Sequence, residues 1–476
     1  MDCSILSGRL IVAWRLLASL ALLVSLVAGL DSLRPAPGTN FNLACGDSAG
    51  LIKAINQANQ AHADETITLN TDHQTNCVYT LNSPYPPAAD QNGLPSITGS
   101  INIDGQGATL ERSQAAGTPF FRVFYVTATG KLTLNRVIVR NGRVVSGGLP
   151  ANSGGGIANF GEVKLVNSII SGNEAKNGGG IFNDVWGSLN LTNSAVSFNS
   201  GTSFGGGVFN QGTLSLVQST VSGNQADLSG GGIANFGTLS LTHSAVSYNG
   251  KASLGGGIFN QGRLSLSNST IIGNSAGQDG GGIFNDSGQP VYLTDNLVSG
   301  NHAQRTGGGI FNFEKSELNL THSTIGDNSA GGDAGGIYNH HHSTLSLTHS
   351  LVNDNTALGK GGGILNRSLA ILSLSDSTVN NNQADESGGG IANFGTLSLI
   401  KCTIEGNRTG GRGGGIFNNF QTLTMADSQI IRNSSEHSGG GIFNRGEVFL
   451  TNSIVAHSPS GGDCASSGTL FAISAA

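Results

Sequence analysis

The sequence predicts an all-β chain wound as a right-handed parallel β-helix, a solenoid of about 13 coils behind an N-terminal capping helix. Three observations predict it. A unit of about 25 residues repeats from about residue 150 onward. Within each unit, apolar and polar residues alternate with period two. Glycine and asparagine punctuate every unit at fixed places.

Each unit carries three short strand-like pieces. The first is Gly-Gly-(Ile/Val)-x-Asn, which occurs twelve times, from Asn159 to Asn444, at spacings of 24 to 27 residues. The second is an alternating Leu-x-Leu strand such as Leu214-Ser215-Leu216, and the third ends in a second Asn, as in Val221-Ser222-Gly223-Asn224. A three-strand unit cannot bury its own apolar side chains, whereas stacked units bury them and pair each strand with the next. Twelve coils, with a weaker one near Leu132–Asn141, reach about 60 Å at about 4.8 Å per coil. Ile157 to Ile442 and Ile170 to Val455 form two inward columns of β-branched residues, which suit a packed strand face. Asparagine tolerates the left-handed backbone of a corner, and stacked amides bond along the axis. These columns need only a structural role.

The 476 residues include 74 Gly and 10 Pro, and 11% are charged. Glycine does not recur every third residue, so collagen is excluded. Lys+Arg is 23 against 29 Asp+Glu, with no basic patch, so nucleic acid is not an expected partner. The five cysteines form no CxxC or zinc spacing, and neither a metal nor a cofactor is expected.

The expected organisation is a signal peptide (1–30), an N-terminal cap with first irregular coils (31–130), β-helix repeats (131–458) and a C-terminal tail (459–476). Arg9 and Arg15 precede the apolar run Leu16 to Leu30. That run is shorter than the ~20 residues of a bilayer span, so a leader is favoured over an uncleaved anchor. No second run is long enough, so no membrane span is expected in the mature chain, which is placed as secreted or at the cell surface. Residues 48–63 read as an amphipathic helix capped by Asp47 or Ser48, covering the N-terminal sheet edge. Cys45 and Cys77 flank it and are a disulfide candidate in an exported chain. Cys402 stands in a column of serines as a small buried residue.

The chain resembles a group of secreted bacterial right-handed parallel β-helix repeat proteins of pectate-lyase-like fold. The resemblance rests on the helix Leu51 to Asn59, the strands Thr66 to Leu69 and Cys77 to Leu81, Asn92 to Ile97, and Ile103 to Thr109, and covers about residues 40–465. The Gly-Gly-x-Ile repeats themselves are similar to those of chlamydial polymorphic outer-membrane proteins. Members of the group often continue past the Gly-Gly-Asp-Cys segment, so a truncated C-terminal cap is expected here. Outer-membrane insertion of the chlamydial type, through an autotransporter barrel, is not expected. The resemblance implies a fold more than a function.

Two places are candidates for function. Four adjacent coils, those starting at Asn285, Asn312, Asn339 and Asn366, carry loops two residues longer than most, holding His340, His341, His342 and Arg367. In the same coils one column reads Asp295, His322, His349, Asp376, each about 5 Å from the next, near enough for two to share a metal or a sugar. The second place is the position after the core Ile, which includes Phe284, Phe311 and Tyr338. Alternation points it outward, as a stripe for sugar rings or a partner; mutual cover beneath a loop, or a ring turned in at the corner, is the other arrangement. No catalytic residue is assigned, because the carboxylate pairs and His-Gly of polygalacturonase-like enzymes are missing apart from Asn70-Thr71-Asp72. The expected function is a non-catalytic adhesin or scaffold binding polysaccharide or a cell-surface protein along one face. The alternative is a polysaccharide lyase or glycoside hydrolase.

Overall fold

The computed structural model describes residues 38–61, 63–86, 91–144 and 151–473. The expected leader lies outside them. The chain is an all-β parallel solenoid of about 16 turns. Three long parallel sheets of 17, 14 and 15 strands run its length, and two-residue strands form two shorter sheets of four and seven.

Register follows the repeat. Leu214, Ser215 and Leu216 pair with Leu239, Ser240 and Leu241, and Val221 pairs with Val246. Ile233, Ala234 and Asn235 pair with Ile258, Phe259 and Asn260. Because like stacks on like, each inward column becomes a continuous ridge. The Ile157–Ile442 column, the Ile170–Ile430 part of the second column and the Leu-x-Leu leucines form one buried core. Each such side chain contributes about 1.5–3 kcal/mol by leaving water.

The solenoid is longer than the repeat signature indicates. Asn40–Asn42, Asp64–Thr68, Ser100–Asp104 and Lys131–Asn135 already pair in succession in the first sheet. These coils lack Gly-Gly-Ile-x-Asn, so the motif does not count them. At the other end, where a tail was expected, Cys464–Ser466 pairs with Ile442–Asn444 and Thr469–Ile473 with Glu447–Thr451. Helix Ser48–Gln60 is capped by Asp47, whose side chain accepts from the Gly50 amide at 2.8 Å. Its buried face of Leu51, Ala54, Ile55 and Ala58 joins the core. Among the described residues no helix is long and apolar enough to cross a membrane.

Two buried amide ladders hold the corners. Along the first, Asn183 donates to Asn210 at 2.7 Å and Asn210 to Asn235 at 2.7 Å. Along the second, the Asn249 carbonyl oxygen accepts from the Asn224 backbone amide at 2.9 Å and from its side chain at 3.0 Å. Asn249 in turn donates to Val221 O at 2.9 Å and Asn274 Oδ1 at 3.0 Å. A serine ladder runs beside them, with the Ser219 amide donating to Ser244 Oγ at 3.1 Å. Cys402 occupies that ladder, buried, and burial pushes its thiol up from the ordinary value.

Cys45 and Cys77 form a disulfide with Cα atoms 5.5 Å apart and a sequence separation of 32. Replacing both by serine is expected to cost about 3–4 kcal/mol through the entropy of a loop of that size. Coils before residue 100 should then lose hydrogen-exchange protection ahead of the repeats, since each coil is held only by its neighbours. Unchanged protection there would contradict this.

Candidate functional site: an aromatic gutter

The outward side chains of the Ile-x-Asn strands are not a solvent-facing stripe. Phe284 and Phe311 are 5% exposed and Tyr338 is 7% exposed. The rings stack on one another along the axis. Phe284 to Phe311 is 5.0 Å and Phe311 to Tyr338 is 4.6 Å between centroids, each pair 7° from parallel. Their faces are therefore taken by neighbours, and only ring edges and the Tyr338 tip are left for a ligand. Of the two arrangements the sequence allowed, this is mutual cover beneath loops and not an open platform for sugar rings. Together with Phe259, Leu365, Ala392 and Ala334 they form a second apolar layer outside the main core. Loops before and after the strand close over it: Leu254 and Ala334 on one side, Phe236, Phe313 and Phe394 on the other. Alternation gave the direction of these side chains; the cover comes from residues just beyond the strand ends, such as the Phe that follows the corner Asn at 236, 313 and 394.

Polar groups converge on this layer near Tyr338. On one rim lies Asp279, only 2% exposed. Arg305 holds it through Nε at 2.8 Å and also through its terminal nitrogen, and Thr306 Oγ1 donates to it at 2.6 Å. Asp333 accepts from the Lys360 backbone amide at 2.8 Å on the same rim. On the other rim His340 stacks on Phe313 at 5.1 Å and meets His341 edge-on at 4.9 Å. His340 Nδ1 and Arg367 Nε are buried with no hydrogen-bond partner among the described residues. Burial pushes the Tyr338 phenol up; Arg367 opposes that, and Asp333 and Asp279 add to it. Burial lowers His340, and the neighbouring His341 and Arg367 lower it further. His340 is therefore held neutral at pH 7.

A titration follows from that direction. His340 should protonate below the unperturbed histidine value of about 6.5. The unfolded chain then binds this proton more readily than the folded one, so the contribution to stability is present above about 6.5 and is lost as pH falls toward the folded value. An NMR titration of the His340 ring reads it directly, and a midpoint at or above the ordinary value would contradict the burial argument.

The other candidates lie elsewhere. Asp295, His322, His349 and Asp376 are exposed and all have φ between +48° and +56°, so they occupy one left-handed corner. His322 and His349 stack at 5.1 Å, and Ser375 Oγ donates to Asp376 at 2.7 Å. This column and the His340 loop sit at opposite ends of the strands of the broad sheet, as His349 and His340 do about strand Thr344–Thr348, about 16 Å apart. The structure does not bring them into one site. His341 Nδ1 lies 3.0 Å from Ser368 O, while His342 is exposed at φ +60°. Among the described residues no three His, Cys, Asp or Glu side chains come together to hold a metal.

Sequence reasoning missed Asp279, Arg305 and Asp333. They pair across coils, 26 residues apart for Asp279 and Arg305, and only the structure shows that contact. A faint signal is present: the position four before the core Ile reads Ser153, Asn177, Phe204, Ser229 and Leu254 in the earlier coils, and Asp279, Thr306, Asp333 and Lys360 in these. Two shallow depressions lie on a different face, the broad sheet of five-residue strands. One of about 380 Å³ is lined by Asp64, Lys131, Glu162 and Lys164. The other, about 340 Å³, is lined by Arg263, Gln289 and Tyr292. In the first, Lys164 is already paired with Glu162 at 2.6 Å.

No family model matches the chain, and no curated protein matches it. Among solved structures it is similar to an iota-carrageenase complexed to iota-carrageenan fragments, at 11% identity and a TM-score of 0.16. The match covers 75% of this chain and 57% of that one, so it spans a little over half the length of the carrageenase.

Proposed function

We propose that the chain is an exported, non-catalytic solenoid that binds a glycan along the gutter, at the cell surface or outside the cell, with helix Ser48–Gln60 closing its N-terminal end. The observation that carries the reading is a set of cations without carboxylate partners on an aromatic floor. Among the described residues Arg367, Arg412 and Arg445 take part in no ion pair. Arg412 and Arg445 lie over Phe443 at 4.9 and 5.6 Å. Guanidinium groups beside unpartnered ring edges suit the carboxylate or sulfate of an acidic polysaccharide. Repetition along the axis suits a repeating polymer through many weak contacts.

Arg367→Gln is expected to weaken binding of an acidic polysaccharide by about 2 kcal/mol, the contribution of a charge-assisted hydrogen bond. Tyr338→Phe keeps the ring stack and should cost about 1 kcal/mol for the lost hydroxyl. Affinity electrophoresis of the purified variants measures both. Equal retardation of wild type and Arg367→Gln would remove the gutter from the account.

One observation favours a second reading. The His340 and Tyr338 rings lie side by side, 5.9 Å between centroids, as a base and an acid for lyase-type elimination would. New unsaturated ends, lost in His340→Ala, would support it.

A further inference from the structure

The rings with free faces are on another corner of the solenoid. Gly172, Phe198, Gly223, Tyr248, Gly273 and Gly300 occupy one position in successive coils, all with φ between +54° and +65°. Glycine adopts that backbone without strain, whereas a bulky aromatic there is an outlier. Phe198 (φ +55°) and Tyr248 (φ +54°) are nevertheless 74% and 71% exposed. Each ring lies over the glycine of the next coil. A Cβ on Gly223 would sit 2.8 Å from Phe198 Cδ1, and one on Gly273 would sit 2.7 Å from Tyr248 Cε1. One face of each ring thus rests on backbone and the other faces water.

Covering the glycine does not explain the rings. Gly300 has no side chain over it, only the Gly273 backbone nitrogen at 3.9 Å from a would-be Cβ, and its coil forms the same corner. Later coils put Asp327, Asp354, Asn381, Arg432 and His457 at the same position with φ between +54° and +62°, so what sets Phe198 and Tyr248 apart is two exposed rings, each with one free face. The two rings are two coils apart, about 10 Å. Gly223 between them leaves the strip open. An extended β-1,4-linked glycan turns over at each sugar, so the same face recurs every second residue, at the length of this interval. The surroundings are the hydroxyls of Ser222 and Ser247 and the exposed amide of Gln225, with one charged pair, Lys251 and Asp227 at 2.9 Å, at the border.

We propose that Phe198 and Tyr248 form a second glycan site, stacking alternate sugars of a neutral β-1,4-linked chain laid along the solenoid axis. The apolar C–H faces of the sugars meet the free ring faces. The site shares no residue with the gutter and stands whether or not the gutter binds an acidic polymer.

The test titrates the full chain with cellohexaose and with a hexamer of β-1,4-linked N-acetylglucosamine, by calorimetry. At least one should bind. Phe198→Gly with Tyr248→Gly uses the residue the column already holds at Gly223 and Gly273, so Tm should be unchanged or higher. Binding of the hexasaccharide should fall about tenfold or more. Tyr338→Phe with Arg367→Gln should bind it as wild type does. Failure of both hexasaccharides to bind wild type, or equal binding by the double glycine variant, overturns the proposal. A change of sedimentation in that variant without hexasaccharide binding would assign the rings to a protein contact instead, and also overturns it.

Discussion

Asn249→Leu is expected to destabilise the protein by about 4 kcal/mol. The residue is buried and its side chain accepts two hydrogen bonds and donates two. Leucine fills the volume and satisfies none of them. The Asn224 backbone amide loses its acceptor inside the core, where an orphaned donor costs about 1–3 kcal/mol on its own. The remaining bonds add about 1 kcal/mol each. A solenoid is held coil to coil, so the break should also reduce hydrogen-exchange protection around Val221–Asn224 more than at either end. Ser215→Ala, on the outer face of the neighbouring strand, serves as the control and should stay within about 0.5 kcal/mol. Denaturant midpoints of the two variants that coincide would contradict a structural role for the ladder.

Gly281→Ala is expected to cost about 3 kcal/mol, at the upper end for an added methyl group. A Cβ there would stand 2.4 Å from the carbonyl oxygens of both Gly308 and His302. Both belong to the backbone of the next coil and cannot rotate away, so the two coils must separate. Gly288→Ala in the neighbouring loop has nothing within 4 Å and should be neutral or stabilising by about 0.4–1 kcal/mol. Thermal denaturation of the pair separates close packing from glycine entropy. Equal effects would mean that the Gly-Gly column is there for chain freedom and not for the approach of the coils.

What was legible in the chain was whatever repeats. The Ile258 and Val246 columns follow from period-two alternation, and stacking identical units leaves them a single register. The corner asparagines announce themselves because few residue types tolerate the left-handed backbone and can also bond along the axis. The site was legible only in part. The position of Tyr338 on the outer side of its strand could be read from alternation. Its burial could not, because Phe313 and Leu254 lie beyond the ends of the alternating strands, where period two gives a side chain no direction. Arg305 against Asp279 is a contact between coils with no local spacing to mark it. Phe198 and Tyr248 gave no sequence signal, since their meaning lies in a positive φ and in the glycine beneath each ring.

The measurement that tests the account most directly incubates the purified chain with a polyuronate, a sulfated polysaccharide and a neutral glucan, and follows both retention of the protein and the length of the polymer. The account predicts retention by at least one acidic polymer, weakened in Arg367→Gln, with polymer length unchanged. Shortening of any polymer, or no retention by any, would contradict it.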